Sequence, residues 1–99
     1  MRNGMRPIHP GEVLFEEFLK PLNMSARAFA DVIGVPSNRV SAIIAGERDV
    51  TPDTALRLSK ALGSTPEFWL NMQRSYDLRI AEKTTELGGI RRLIHPRSI

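Results

Sequence analysis

The sequence predicts an all-α domain of five helices, and three observations carry that prediction. Helix starts are marked by Pro10, Ser25, Thr51 and Thr65, and helix stops by Pro21, Gly34, Gly46, Gly63 and the Gly88-Gly89 pair. Between these marks apolar residues recur at helical spacing, and no strand-like alternation appears before the tail. Two short helices are separated only by Gly34-Val35-Pro36, the sequence form of a helix-turn-helix. The expected organisation is an arm over residues 1–9, a helical domain over 10–87 and a basic tail over 88–99.

The first helix opens at Pro10, with Glu12 facing the positive end of the helix dipole. It carries Val13, Leu14, Phe18 and Leu19 on its apolar side and is expected to stop at Pro21. His9, immediately before it, reads as a cap. The second helix follows the N-cap Ser25, is expected to bury Phe29, Ala30, Val32 and Ile33, and ends at Gly34, a residue type suited to the left-handed turn after a helix. The third spans 37–45. The fourth begins with Thr51-Pro52-Asp53, a cap, a first-turn proline and a first-turn carboxylate, and runs to Gly63. The fifth repeats the device with Thr65-Pro66-Glu67 and continues to about Glu86, roughly 30 Å at ~1.5 Å per residue.

Composition narrows the function classes. The 99 residues suit one domain, and the net charge is +3, with lysine confined to Lys20, Lys60 and Lys83. There is no cysteine, so neither a disulfide framework nor a thiolate metal site can form. No apolar run approaches the ~20 residues of a membrane span, and Met1 to Pro10 lacks the apolar stretch of a secretory signal. A cytoplasmic protein with no membrane association is expected. Arg2 and Arg6 in the arm, and Arg91, Arg92 and Arg97 in the tail, suit phosphate or carboxylate partners or simply a solvated surface. His9 and His95 have no ligand partners at metal spacing, and Glu16 and Glu17 diverge on adjacent helix positions. No catalytic constellation, metal site or cofactor motif is present, so an enzyme is not expected.

The third helix carries the functional signal. At ~100° per residue, Val40, Ile43 and Ile44 form a narrow apolar sector, while Asn38, Ser41, Ala42 and Ala45 face the other way. An exposed helix usually carries long charged side chains for solubility. A small, polar face instead suits a helix that enters the major groove, where Asn can pair with adenine and Ala can touch a thymine methyl. Ser37 and Asn38 sit at the N-terminal end, where such recognition helices meet base edges. Ser37, Asn38, Ser41 and Ala42 are therefore the expected base-facing residues. Arg27, Arg39 and Arg48 flank them as expected phosphate contacts, with the N–H groups after Ser25 adding an anion site. A solvated or ion-paired role is the alternative for Arg27 and Arg48, and a plain bundle corner the alternative for the whole motif.

These residues resemble a known family. The run from Met24-Ser25-Ala26-Arg27 through Gly34-Val35-Pro36 to Val40-Ser41 is similar to the lambda-repressor-like (XRE) helix-turn-helix class. His9-Pro10-Gly11-Glu12, Glu17 to Leu22, Thr51 to Leu58, Pro66-Glu67-Phe68-Trp69-Leu70-Asn71 and Tyr76-Asp77-Leu78 resemble HigA-type (VapI-like) antitoxins more narrowly, over about Pro7 to Ala81. The resemblance implies a dimeric repressor of its own operon that neutralises a RelE-like mRNA-cleaving toxin. One departure is the charge: many antitoxins are acidic where they wrap a basic toxin, and this chain is slightly basic. The competing functions are a stand-alone repressor without a toxin and a helix-turn-helix module that binds only protein.

The fifth helix has more apolar surface than one side of such a domain needs, and palindromic operators call for a two-fold dimer. Part of this helix, along the stripe of Trp69, Met72 and Tyr76 and with or without the tail, is the expected dimer contact, and core packing against the first helix is the alternative for some of these residues. For the tail, where Ile90, Leu93 and Ile94 surround Arg91-Arg92, a strand, a short helix and an arm that orders on a partner all remain open.

Overall fold

The computed structural model describes residues 6–96, so the arginines at 2 and 97 lie outside it. The first helical rod, α1, joins an α segment Pro10–Val13, a π segment Leu14–Leu19 and a short α segment Lys20–Leu22. Four α-helices follow: α2 (Ala26–Ile33), α3 (Ser37–Ile44), α4 (Pro52–Leu62) and α5 (Pro66–Thr84). Among the described residues there is no strand. No helix among them is long and apolar enough to cross a membrane.

Local chemistry explains most boundaries. The hydroxyls of Ser25, Thr51 and Thr65 accept hydrogen bonds from the backbone N–H groups of Ala28, Thr54 and Phe68 at 3.0, 3.4 and 3.1 Å. Each cap satisfies an otherwise orphaned donor and contributes about 1 kcal/mol. Pro21 does not stop α1, contrary to the sequence expectation: the rod continues to Leu22 and closes on Asn23, which takes the left-handed conformation at φ 55°. The wider π turn ahead of the proline explains this. Lys20 donates its N–H five residues back to the Phe15 carbonyl, a register that relaxes the crowding a proline ring meets in a regular α-helix. At the far end α5 stops at Thr84, two residues short of the expected end, because Thr85 turns to extended backbone.

The core is one cluster in which α1, α2, α3, α4 and α5 meet around Leu14, Leu19, Phe29, Val40, Ile43, Leu58 and Trp69. Trp69 is 0% exposed, packed between Phe18 and Phe68 at ring-centroid distances of 5.5 and 5.0 Å, and its indole N–H donates to Ser64 Oγ at 2.8 Å. This corrects the sequence expectation for the fifth helix: Trp69 is a core residue of the protomer and presents no surface to a second copy. Met72 and Tyr76 are half-buried. Val32 is also misplaced by the sequence reading, at 60% exposed. It stands about 100° round α2 from the buried Ile33, off the stripe that meets α3 and α4.

His9 caps α1, as its position suggests: its Nδ1 accepts the Gly11 N–H at 2.9 Å, and its ring stacks edge-on against Tyr76 at 4.9 Å. Burial pushes its pKa below the ordinary 6.5 and outweighs the carboxylates of Asp49 and Asp77 and the Arg48 backbone, which pull the other way. The native state therefore favours neutral imidazole, and protonating Nδ1 would remove the cap. Since the unfolded chain takes up this proton at higher pH than the folded one, stability is full above about pH 6.5 and falls as pH drops toward the depressed native value. Urea unfolding at pH 7.5, 6.0 and 5.0 checks this. The native protein is expected to lose more stability on acidification than His9→Asn, which keeps a capping side chain but cannot titrate; equal losses would refute it.

Candidate nucleic-acid interface

The helix-turn-helix consists of α2, a sharp turn and α3. Gly34 makes the turn at φ 72°, and the N–H groups of Gly34 and Val35 both return to the Ala30 carbonyl. A side chain at position 34 would be strained in this left-handed conformation and would also meet Arg57 Nη1 at 3.3 Å. Val40 and Ile43 anchor α3 to the core and are both about 1% exposed. The opposite side of α3 presents Asn38, Ser41 and Ala45 to solvent, with Ala42 half-buried beside them and Ser37 exposed at the flank near the N-terminal end. Ser41 Oγ donates to the Ser37 carbonyl at 3.2 Å, which holds the hydroxyl against its own helix and leaves its lone pairs for other donors.

The three flanking arginines differ. Arg27 and Arg48 are exposed, and no ion pair among the described residues holds either side chain. Arg39 is turned against the body: its side chain is 28% exposed, its Nη1 lies 3.7 Å from Asp53 Oδ2, and its Nε is buried without an acceptor. The anion site expected after Ser25 is reduced to the first N–H groups of α2, because Ser25 itself occupies the Ala28 N–H. In the arm, Arg6 is bound to Glu12 through two hydrogen bonds of 2.9 and 2.8 Å. In the tail, Arg91 and Arg92 lie on exposed, irregular chain, with neither a helix nor a strand over 85–96.

Several residues that position this surface escaped the sequence reading. Arg57 of α4 donates through Nη1 to the Ile33 carbonyl at 2.7 Å, sealing the C-terminus of α2 at the turn, while its Nε donates to Asp53 Oδ2 at 2.9 Å. The Asp53/Arg57 spacing of four was a visible signal of an ion pair, though not of its reach to α2. Gln73 of α5 is buried, accepts the Val50 N–H at 2.8 Å, and donates to Asp49 and Asp77 at 3.2 and 3.0 Å. It fastens the loop that carries Arg48 to α5. A glutamine on the core-facing stripe of a helix was its only signal. Gly11 of α1 lies directly against α3, where a Cβ would fall 1.7 Å from the Ile43 carbonyl oxygen.

Comparison with known proteins agrees with this geometry. The family model described as "Helix-turn-helix" matches residues 15–70. The chain is 48% identical over 82 residues to "Virulence-associated protein I" of Dichelobacter nodosus, covering 83% of this chain and 76% of that one. It is 47% identical over 73 residues to "Antitoxin HigA-1" of Vibrio cholerae, covering 74% and 69%. Among solved structures it superposes on "antitoxin GraA in complex with its operator" with a TM-score of 0.84 and 48% identity, covering 96% and 99%. The chain belongs to the helix-turn-helix family, in its XRE class. Within that class its relatives include the HigA-type antitoxins.

Proposed function

We propose that the protein is an operator-binding antitoxin of the cytoplasm that represses its own operon and neutralises a RelE-like mRNA-cleaving toxin encoded beside it. The observation that carries the DNA-binding part is the surface of α3: aliphatic residues fasten one side to the core, while Asn38 and Ser41 stand free on the other and Ser37 is exposed at the N-terminal end. Small side chains let such a helix approach base edges closely, and Asn38 at its N-terminal end has the donor and acceptor pair that adenine requires. Arg27 and Arg48, with Arg39, supply the sequence-independent phosphate contacts. The operator complex of the related GraA supports this reading.

Two-fold operators need a paired protein. Exposed apolar residues concentrate beyond Asp77, with Leu78 and Ile80 on α5 and Leu87, Ile90, Leu93 and Ile94 in the tail. Ile80 continues the stripe of Met72 and Tyr76 on α5, with Leu78 on the other side of the helix, and that stripe together with the exposed tail residues supports a homodimer joined through the end of α5. A toxin contact has its own candidate in the groove of about 460 Å³ between α2 and α4, lined by Val32, Ile33, Leu56, Ala61, Arg57 and Lys60. The names of the antitoxin relatives support a protein partner of this kind.

A footprint on the gene's own upstream region, with and without the neighbouring gene product, tests the whole reading; no protected region would refute it. Replacing Asn38 by Ala is expected to weaken binding to the protected duplex about 5- to 150-fold, the cost of one lost bidentate base contact, with little change on an unrelated duplex. An equal loss on both duplexes would remove Asn38 from the base-reading set.

A further inference from the structure

We propose that Asp53 is an internal competitor for Arg39 and thereby sets how tightly the helix-turn-helix holds the DNA backbone. The inference rests on the reading of Arg39 as a phosphate contact. One carboxylate oxygen, Asp53 Oδ2, serves two guanidinium groups: it accepts from Arg57 Nε at 2.9 Å and lies 3.7 Å from Arg39 Nη1. The two contacts are unequal. Arg57 is committed to the fold by its further bond to the Ile33 carbonyl at 2.7 Å. Arg39 is held only by charge, beyond hydrogen-bond length, and its Nε is shielded from water with no acceptor.

A guanidinium with donors to spare, in the first turn of the helix expected to meet DNA, is poised to take a phosphate oxygen. To do so it must leave the Asp53 carboxylate, 3.7 Å from its Nη1. Asp53 therefore opposes DNA binding while Arg57 keeps the turn in place. Because the carboxylate side chain is 60% exposed, the opposition is modest. Exposed pairs of this kind correspond to about two- to fivefold in an equilibrium constant.

Asp53→Asn separates the two roles, since the amide oxygen can still accept from Arg57 Nε while the charge is gone. Affinities of the full-length protein are measured at about 0.15 M salt for a duplex from its own upstream region and for a scrambled duplex. Asp53→Asn is expected to bind both duplexes about two- to fivefold more tightly, and by the same factor, because phosphates carry no sequence information. Arg39→Gln is expected to weaken both, and adding Asp53→Asn to it should change nothing further.

If Arg39→Gln leaves both affinities intact, the phosphate reading and the inference fall together. If Arg39→Gln weakens binding but Asp53→Asn does not strengthen it, the inference alone is wrong. A gain from Asp53→Asn that persists in the Arg39→Gln background would show a general charge effect and also overturn it. Asp53→Ser, which removes the charge but keeps a residue suited to a helix start, should repeat the gain, and thermal melts confirm that each variant is folded.

Discussion

Gly11→Ala is expected to lower the melting temperature by about 10 °C or more and to weaken DNA binding even where the protein remains folded. The added methyl carbon would sit 1.7 Å from the Ile43 carbonyl oxygen and 2.5 Å from its carbon. These are backbone atoms, so no rotamer change relieves the overlap. Ordinary contact begins at 3.4 Å, so α1 and α3 must separate by a substantial part of the difference. Overpacking of this kind costs about 1–3 kcal/mol and occasionally more, and 1 kcal/mol shifts the melting point of a domain this size by roughly 4–8 °C. The displaced element is α3, which carries Ser37, Asn38 and Ser41. Calorimetry and a DNA titration at low temperature together check both halves. A variant that melts within 2–3 °C or so of the native protein would show that the α1–α3 approach is not rigid.

Trp69→Ala is expected to cost about 3–5 kcal/mol of folding stability, a large share of the 5–15 kcal/mol typical of a domain. The indole fills the space between Phe18 and Phe68 and donates to Ser64, so its removal opens a cavity and also orphans a polar partner. The loss should be the same at 1 and 50 µM protein, roughly, because the contacts lie within one protomer. Urea unfolding at both concentrations measures it. A loss that is larger at the higher concentration would return Trp69 to the subunit interface. Trp69→Phe should recover much of the packing while losing the Ser64 bond, and so fall between the two.

The same residue shows where sequence reasoning ends. Periodicity correctly groups Trp69, Met72 and Tyr76 on one stripe of α5, but a stripe has no depth scale. The stripe is buried at Trp69 and emerges half-covered at Met72 and Tyr76. Features set by one or two turns of chain were legible: the caps at Ser25, Thr51 and Thr65, the turn at Gly34, the division of α3 into an anchored and a free side. Features set by distant segments were not. Gly11 looks like an ordinary early-helix residue until Ile43 is placed against it, 32 positions along the chain. Asp53 and Arg57 look like a routine surface pair until the last carbonyl of α2 arrives. Pro21 misled for a different reason: the rule that proline ends a helix assumes a regular α turn ahead of it, and in α1 the turn ahead of Pro21 is π.

The bonds made by Gln73 have a mechanical consequence. They weld the segment following α3 to the long terminal rod, so the element that would read bases and the element that would meet a sister subunit share one rigid frame. With no slack between them, the angle at which two copies join would dictate the distance between their reading heads along the double helix. Operator half-site spacing would then be written into the joint at the far end of the molecule.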